Sequence, residues 1–156
     1  MSLEAAMAYH RWATARTLES CAALNQEEFT RNLGGSFPSI RETLAHSFMA
    51  DNAWAHRVRG EAFARPPMES LPADLMTLRN AWEPVLRGWE NLVETRDPNE
   101  TISYHAFDGS PFQSRLEDIV RQVVNHGSYH RGQVTNQLRL LGHAAQNTDW
   151  ISFTRA

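Results

Sequence analysis

The sequence predicts an all-α protein: a four-helix bundle with a small β-hairpin before the last helix. Three observations predict it. Apolar residues recur at steps of three and four over four long segments, the period of a helix with one buried face. Capping residues stand where two of those segments begin, and glycines where two of them end. One short stretch, "TISYHAFDGSPFQ", switches to a strand-like period around Asp108-Gly109. A chain of 156 residues has enough length for one domain with a sizeable core, and residues 1–156 are read as that single domain.

The elements follow in order. Leu3, Met7, His10, Thr14, Leu18 and Cys21 share one face, predicting a helix over Leu3 to Leu24. Asn25 with Glu28 reads as a capping box opening a short helical turn, and "LGGSFPS" then breaks the chain. Ser39 with Glu42 reads as a second box, opening a helix that Gly60 closes after Arg59. "ARPPMESLP" is a loop. A third helix is expected from Pro72 to Thr95, where Pro84 should kink or split it. Asp108-Gly109 predicts a two-residue hairpin turn. Ser114 with Glu117 should cap the final helix, which ends at Leu141 before Gly142. The tail "HAAQNTDWISFTRA" has no clear period, though Trp150, Ile151 and Phe153 could dock on the body.

Composition narrows the function classes. Charged residues make up 21% and the net charge is −3, so no basic field invites nucleic acid. No run of about 18 apolar residues suggests a membrane span. The first residues lack the basic and apolar regions of a secretory signal. The single cysteine, Cys21, excludes an internal disulfide and fits a reducing cytoplasm, the expected location. Seven histidines in so short a chain are the informative excess, because imidazole is the commonest protein metal ligand.

Two of them, His126 and His130, lie one helical turn apart in "VVNHGSYHRGQV". Leu116, Ile119, Val123 and Val134 fall within about 80° of His126 on the same wheel, so both imidazoles sit on the apolar stripe. Two readings compete for such a pair. Each ring can be an ordinary buried histidine with its own hydrogen bonds, or both can offer nitrogens to one ion. A tight site needs a third ligand from another helix, and the candidate is His46 in "TLAHSFMADNAWAHR". That helix is apolar on two sides. The face with His46, Met49, Ala50 and Ala53 should pack within the bundle, and the other should meet a further element or a second subunit. His10, also on an apolar face, is a weaker candidate for the pocket, with Tyr9 and Trp12. His56, His105 and His143 read as surface or loop residues. Cys21 reads as a small core residue, and the tryptophans as core or interface anchors.

Four phrases together resemble the DinB/YfiT-like family of metalloenzymes: "YHRWATARTL", "ETLAHSFMADNAW", "YHAFDGSPF" and "VVNHGSYHRGQV". The resemblance covers nearly the whole chain, and its most specific part is the last phrase combined with an upstream histidine. It implies a four-helix bundle, often dimeric, with a divalent metal held by three histidines. Carried over by position, these are His46, His126 and His130. Gly127 and Tyr129 stand where relatives often have an acidic residue and another histidine. That departure leaves the ligands intact and bears on the chemistry instead.

The family name points to induction by DNA damage in some members, which implies regulation and a stress response, not DNA contact. Three neutral imidazoles leave an open position on zinc, and more on an octahedral ion such as nickel. Such a position can activate water or a thiol. By resemblance, the expected activity is that of a thiol S-transferase using a low-molecular-weight thiol and a small-molecule electrophile. The alternatives are a metal-dependent hydrolase and a non-catalytic metal-binding stress-response protein. Arg131 and Gln133 belong to the same family phrase and could support the ligands, hold a substrate or cap the bundle surface. The two-sided second helix and the surplus of aromatic residues lead to the expectation of a homodimer.

Overall fold

Helix α1 runs Leu3–Ser20 in the structure, a computed structural model that describes residues 1–156. A 3-10 turn at Cys21–Ala23 extends it, so the predicted helix is found with its last turn tightened. Ser2 caps its start, the side chain accepting from the Ala5 N–H. The short α2, Gln26–Thr30, opens on a complete capping box of Asn25 and Glu28. Helix α3, Ile40–Arg59, starts at Ser39 and ends at Gly60, whose φ of 72° makes the left-handed stop.

Helix α4 spans Leu75–Thr95. It starts later than the sequence suggested because Asp74 is the cap, accepting from the Thr77 N–H. Pro84 does not split it. The proline and Asn80, whose carbonyl would have bonded its missing N–H, both lie on the exposed side, where solvent can serve that carbonyl.

Strands β1, Thr101–His105, and β2, Pro111–Arg115, form the antiparallel hairpin, with His105 opposite Pro111. The turn is longer than the Asp108-Gly109 dipeptide implied. Ala106 donates to the Ser110 carbonyl, and Gly109, at φ 86°, donates to the Ala106 carbonyl. This is a turn followed by one left-handed glycine, not a two-residue loop.

Helix α5, Leu116–Leu140, follows directly from β2. Ser114 is not its cap, because the residue still belongs to the strand and its hydroxyl meets Tyr104 Oη at 3.2 Å. The first helical N–H groups of Leu116 and Glu117 instead reach back to the carbonyls of Glu100 and Pro98. Gly142, at φ 84°, ends the helix. In the tail, α6 is a single turn, Trp150–Phe153. Trp150 and Phe153 meet Tyr9 edge-on, and Phe153 also packs at a tilt against Trp12, while Ile151 stays exposed.

Helices α1, α3, α4 and α5 make the bundle. Its core falls into two large clusters, one around Met7, Trp89 and Ile119, the other around Leu18, Ile40, Trp82 and Leu138. Both apolar sides of α3 are accounted for within the chain. Ile40, Leu44, Ala55 and Val58 join the main core, whereas Ala45, Met49 and Ala53 are covered by Leu71, Phe63 and Met68 from the loop before α4. The two sides are exchanged relative to the sequence expectation: the side carrying Met49 and Ala53, expected inside the bundle, meets a further element, and the opposite side fills the core. No helix is long and apolar enough to cross a membrane.

A buried polar network ties the four bundle helices together. The Asp51 carboxylate on α3 accepts from His10 Nε2 of α1 at 2.9 Å and from Trp82 Nε1 of α4 at 2.8 Å. Its main-chain carbonyl accepts from Trp89 Nε1 at 3.1 Å. Arg131 of α5 donates from Nη1 to His10 Nδ1 at 3.3 Å. Arginine can only donate, so His10 Nδ1 accepts and the ring proton sits on Nε2, facing Asp51. Gly127 makes this approach possible. A Cβ there would lie 2.4 Å from His10 Cε1 and 2.8 Å from Arg131 Nη1.

Candidate metal centre

Helices α3 and α5 run antiparallel along one seam. Thr43 Oγ1 donates to Gln137 Oε1 across it at 3.1 Å. One turn further along α3, His46 points at His126 and His130 of α5. The Nε2 atoms of His46 and His126 are 3.2 Å apart, and those of His126 and His130 3.1 Å. One nitrogen from each of the three rings lies within 4.8 Å of the others. The three residues singled out from the sequence are thus brought together.

These contacts are not an ordinary hydrogen-bond network. His130 Nδ1 lies 2.7 Å from Gln133 Oε1. That oxygen can only accept, so in the neutral ring the His130 proton is on Nδ1 and Nε2 presents a lone pair. His126 Nε2 faces two imidazole nitrogens and carries at most one proton. The cluster therefore holds more converging lone pairs than protons to share, and a cation resolves that excess. Three nitrogens on a tetrahedral ion, each bonded at about 2.0–2.1 Å, would stand roughly 3.3 Å apart. The donor set fits a divalent ion such as zinc or nickel on chemistry and on spacing.

The environment keeps the rings neutral. Burial is the largest cause and pushes the His46 pKa down to about 4, with the neighbouring His130, His126 and Arg65 adding to the fall. Burial also lowers His126, where His130 adds to the effect. Burial lowers His130 too, although the bond to Gln133 opposes it. An unfolded histidine titrates near 6.5. As pH falls below that value, the unfolded chain takes up protons that the folded cluster refuses, so folding weakens. The metal-free protein should be progressively less stable from about pH 6.5 towards pH 4, and unaffected by these groups above that window. Urea titrations across that range check this. The slope should shrink in His46→Gln, and an equal slope in that variant would contradict the assignment.

No cysteine or carboxylate joins the cluster. Cys21 is packed in the core, and Asp51 is engaged by His10 and Trp82. Gln133 bonds to His130 of the cluster, whereas Arg131 belongs to the polar network. His10 lies in that same network and not in the triad. Tyr9 donates to the Thr148 carbonyl, and Trp12 packs on α6. His56 bonds the Asn52 carbonyl, His143 faces Glu28, and His105 is exposed on the hairpin. Phe37 was not singled out by its sequence context. Its ring stacks on His46 with centroids 4.4 Å apart, and meets His130 edge-on at 5.5 Å. Tyr129 flanks His130 from the exposed side at 5.1 Å.

The DinB family model matches residues 1–156. Protein DinB of Bacillus subtilis (strain 168) is 24% identical over 150 residues, covering 91% of this chain and 87% of that protein. The crystal structure of a DinB-like protein from Bacillus cereus ATCC 10987 superposes with a TM-score of 0.67 at 16% identity. That match covers 88% of this chain and 91% of the other.

Proposed function

The chain belongs to the DinB family, and from that premise we propose that His46, His126 and His130 hold one divalent metal ion in a metal-dependent enzyme. The favoured activity is transfer of a low-molecular-weight thiol to a small electrophile. The observation that carries the reading is the convergence of three imidazole nitrogens with no fourth protein ligand. A purely structural zinc site normally closes with four. When bound, the ion would supply a Lewis acid that eases deprotonation of a small nucleophile.

The protein's own contribution is to place and insulate. Neutral imidazoles leave the ion its full charge. Gln133 fixes the His130 tautomer. Phe37 and Tyr129 wall the cluster with aromatic surface. All three histidines come from one chain, so the site needs no second subunit. Hydrolysis is the less favoured chemistry, because helical zinc hydrolases pair their histidines with a glutamate base and no carboxylate joins this cluster.

Elemental analysis of untagged protein should find about one divalent ion per chain. The cobalt-substituted protein should gain a charge-transfer band on addition of a small thiol, and turnover should require both thiol and metal. An unchanged spectrum, with no thiol-dependent turnover, would leave hydrolysis or a non-catalytic role as the better reading.

A further inference from the structure

We propose that Phe37 is a positioning residue for His46, its ring serving where a hydrogen-bond acceptor serves for His130. The inference rests on the three-histidine metal reading. Metal-bound histidines almost always donate their second N–H to an oxygen, which fixes the ring plane. His130 does so through Gln133 at 2.7 Å. His46 does not. Its Nδ1 is buried and no protein group bonds to it. What covers that ring is Phe37, nearly parallel to it at 26°.

The ring of Phe37 is itself held. Its carbonyl accepts from Gln137 Nε2 at 3.0 Å, and Gln137 Oε1 accepts from Thr43, one turn before His46 on α3. Gly34 and Gly35, at φ 80° and 89°, let the loop fold back over the α3–α5 seam. The Leu33 N–H closes that loop on the Pro38 carbonyl at 2.6 Å. His46 is therefore oriented by contact, without a directional bond. It is the ligand that detaches first, and metal release is governed by the Phe37 loop.

Chelator competition on the zinc-loaded protein tests this. Phe37→Ala should speed zinc release by about tenfold or more, the scale on which outer-shell substitutions act. Phe37→Leu, which keeps apolar bulk without a stacking face, should also speed it. Phe37→Trp should hold release within about twofold of the parent. A second readout is NMR of the metal-free protein. Contacts from the His46 ring to His126 and His130 should be lost in Phe37→Ala while its melting temperature stays the same. Parent-like release from Phe37→Ala, or a His46 ring still fixed in that variant, overturns the proposal. A parent protein that binds no metal would instead defeat the functional reading, and the ring measurement would still decide the role of Phe37.

Discussion

Replacing His130 by alanine should lower zinc affinity by about a hundredfold or more. Structural zinc sites bind with roughly 10–16 kcal/mol, so losing one of three ligands forfeits about 3 kcal/mol at least. Of the three proposed ligands, His130 is the most firmly held. It is buried, its Nδ1 is tied to Gln133, and its Nε2 faces His126 one turn away. His46→Ala should weaken binding in the same direction, because it removes the one ligand supplied by α3. Both are read by competition with a chromophoric chelator, with circular dichroism to establish that the variants remain helical. Stoichiometric metal retained by both variants would remove the basis of the assignment.

The largest stability loss should come from Asp51→Ala, by about 3–5 kcal/mol, the usual consequence of leaving a buried charge uncompensated. Asp51 is 1% exposed, and its carboxylate receives two side-chain donors. Alanine would leave His10 Nε2 and Trp82 Nε1 unpaired, with the buried Arg131 guanidinium lacking its opposite charge. Asp51→Asn should lose less, since an amide oxygen still accepts. Domains of this size have roughly 5–15 kcal/mol in all, so the alanine variant should unfold at far lower urea. Asp51 makes no contact with the three converging nitrogens. Below its melting temperature the variant should therefore still bind about one ion per chain. Unchanged urea stability would show that the network contributes little.

These two outcomes divide along the line between what the sequence makes legible and what it does not. The helices were legible because their apolar periods and caps are local, as at Asn25–Glu28 and Gly60. The histidine pair was legible for the same reason, since a spacing of four residues puts His126 and His130 on one stripe. His46 needed more than periodicity, and the family phrase supplied it. The Ser114 cap failed because the strand runs to Arg115, and the long-range bonds from Leu116 and Glu117 do the capping. Pro84 failed as a breaker because its side of α4 faces water. Asp51, His10 and Arg131 are separated by 41 and 121 residues along their two bonds. No local pattern announces such a meeting. Phe37 escaped notice because a loop aromatic after two glycines carries no period at all. Both apolar sides of α3 were legible, but not which one enters the bundle: the Met49 and Ala53 side lies under a loop of the same chain, and the Ile40 and Leu44 side is in the core.

The lone cysteine has a consequence for redox behaviour. Cys21 is fully buried in the core beside Leu18 and Phe29, and burial pushes its thiol up to about 12. At neutral pH it offers almost no thiolate to an oxidant or a disulfide. The fold contains no disulfide to be reduced and no exposed thiol to be oxidised. Its native state is therefore insensitive to the thiol–disulfide balance of its surroundings. Any small thiol used in the proposed reaction would therefore find no exchange partner in the chain, and mixed disulfides with the protein would not compete with it.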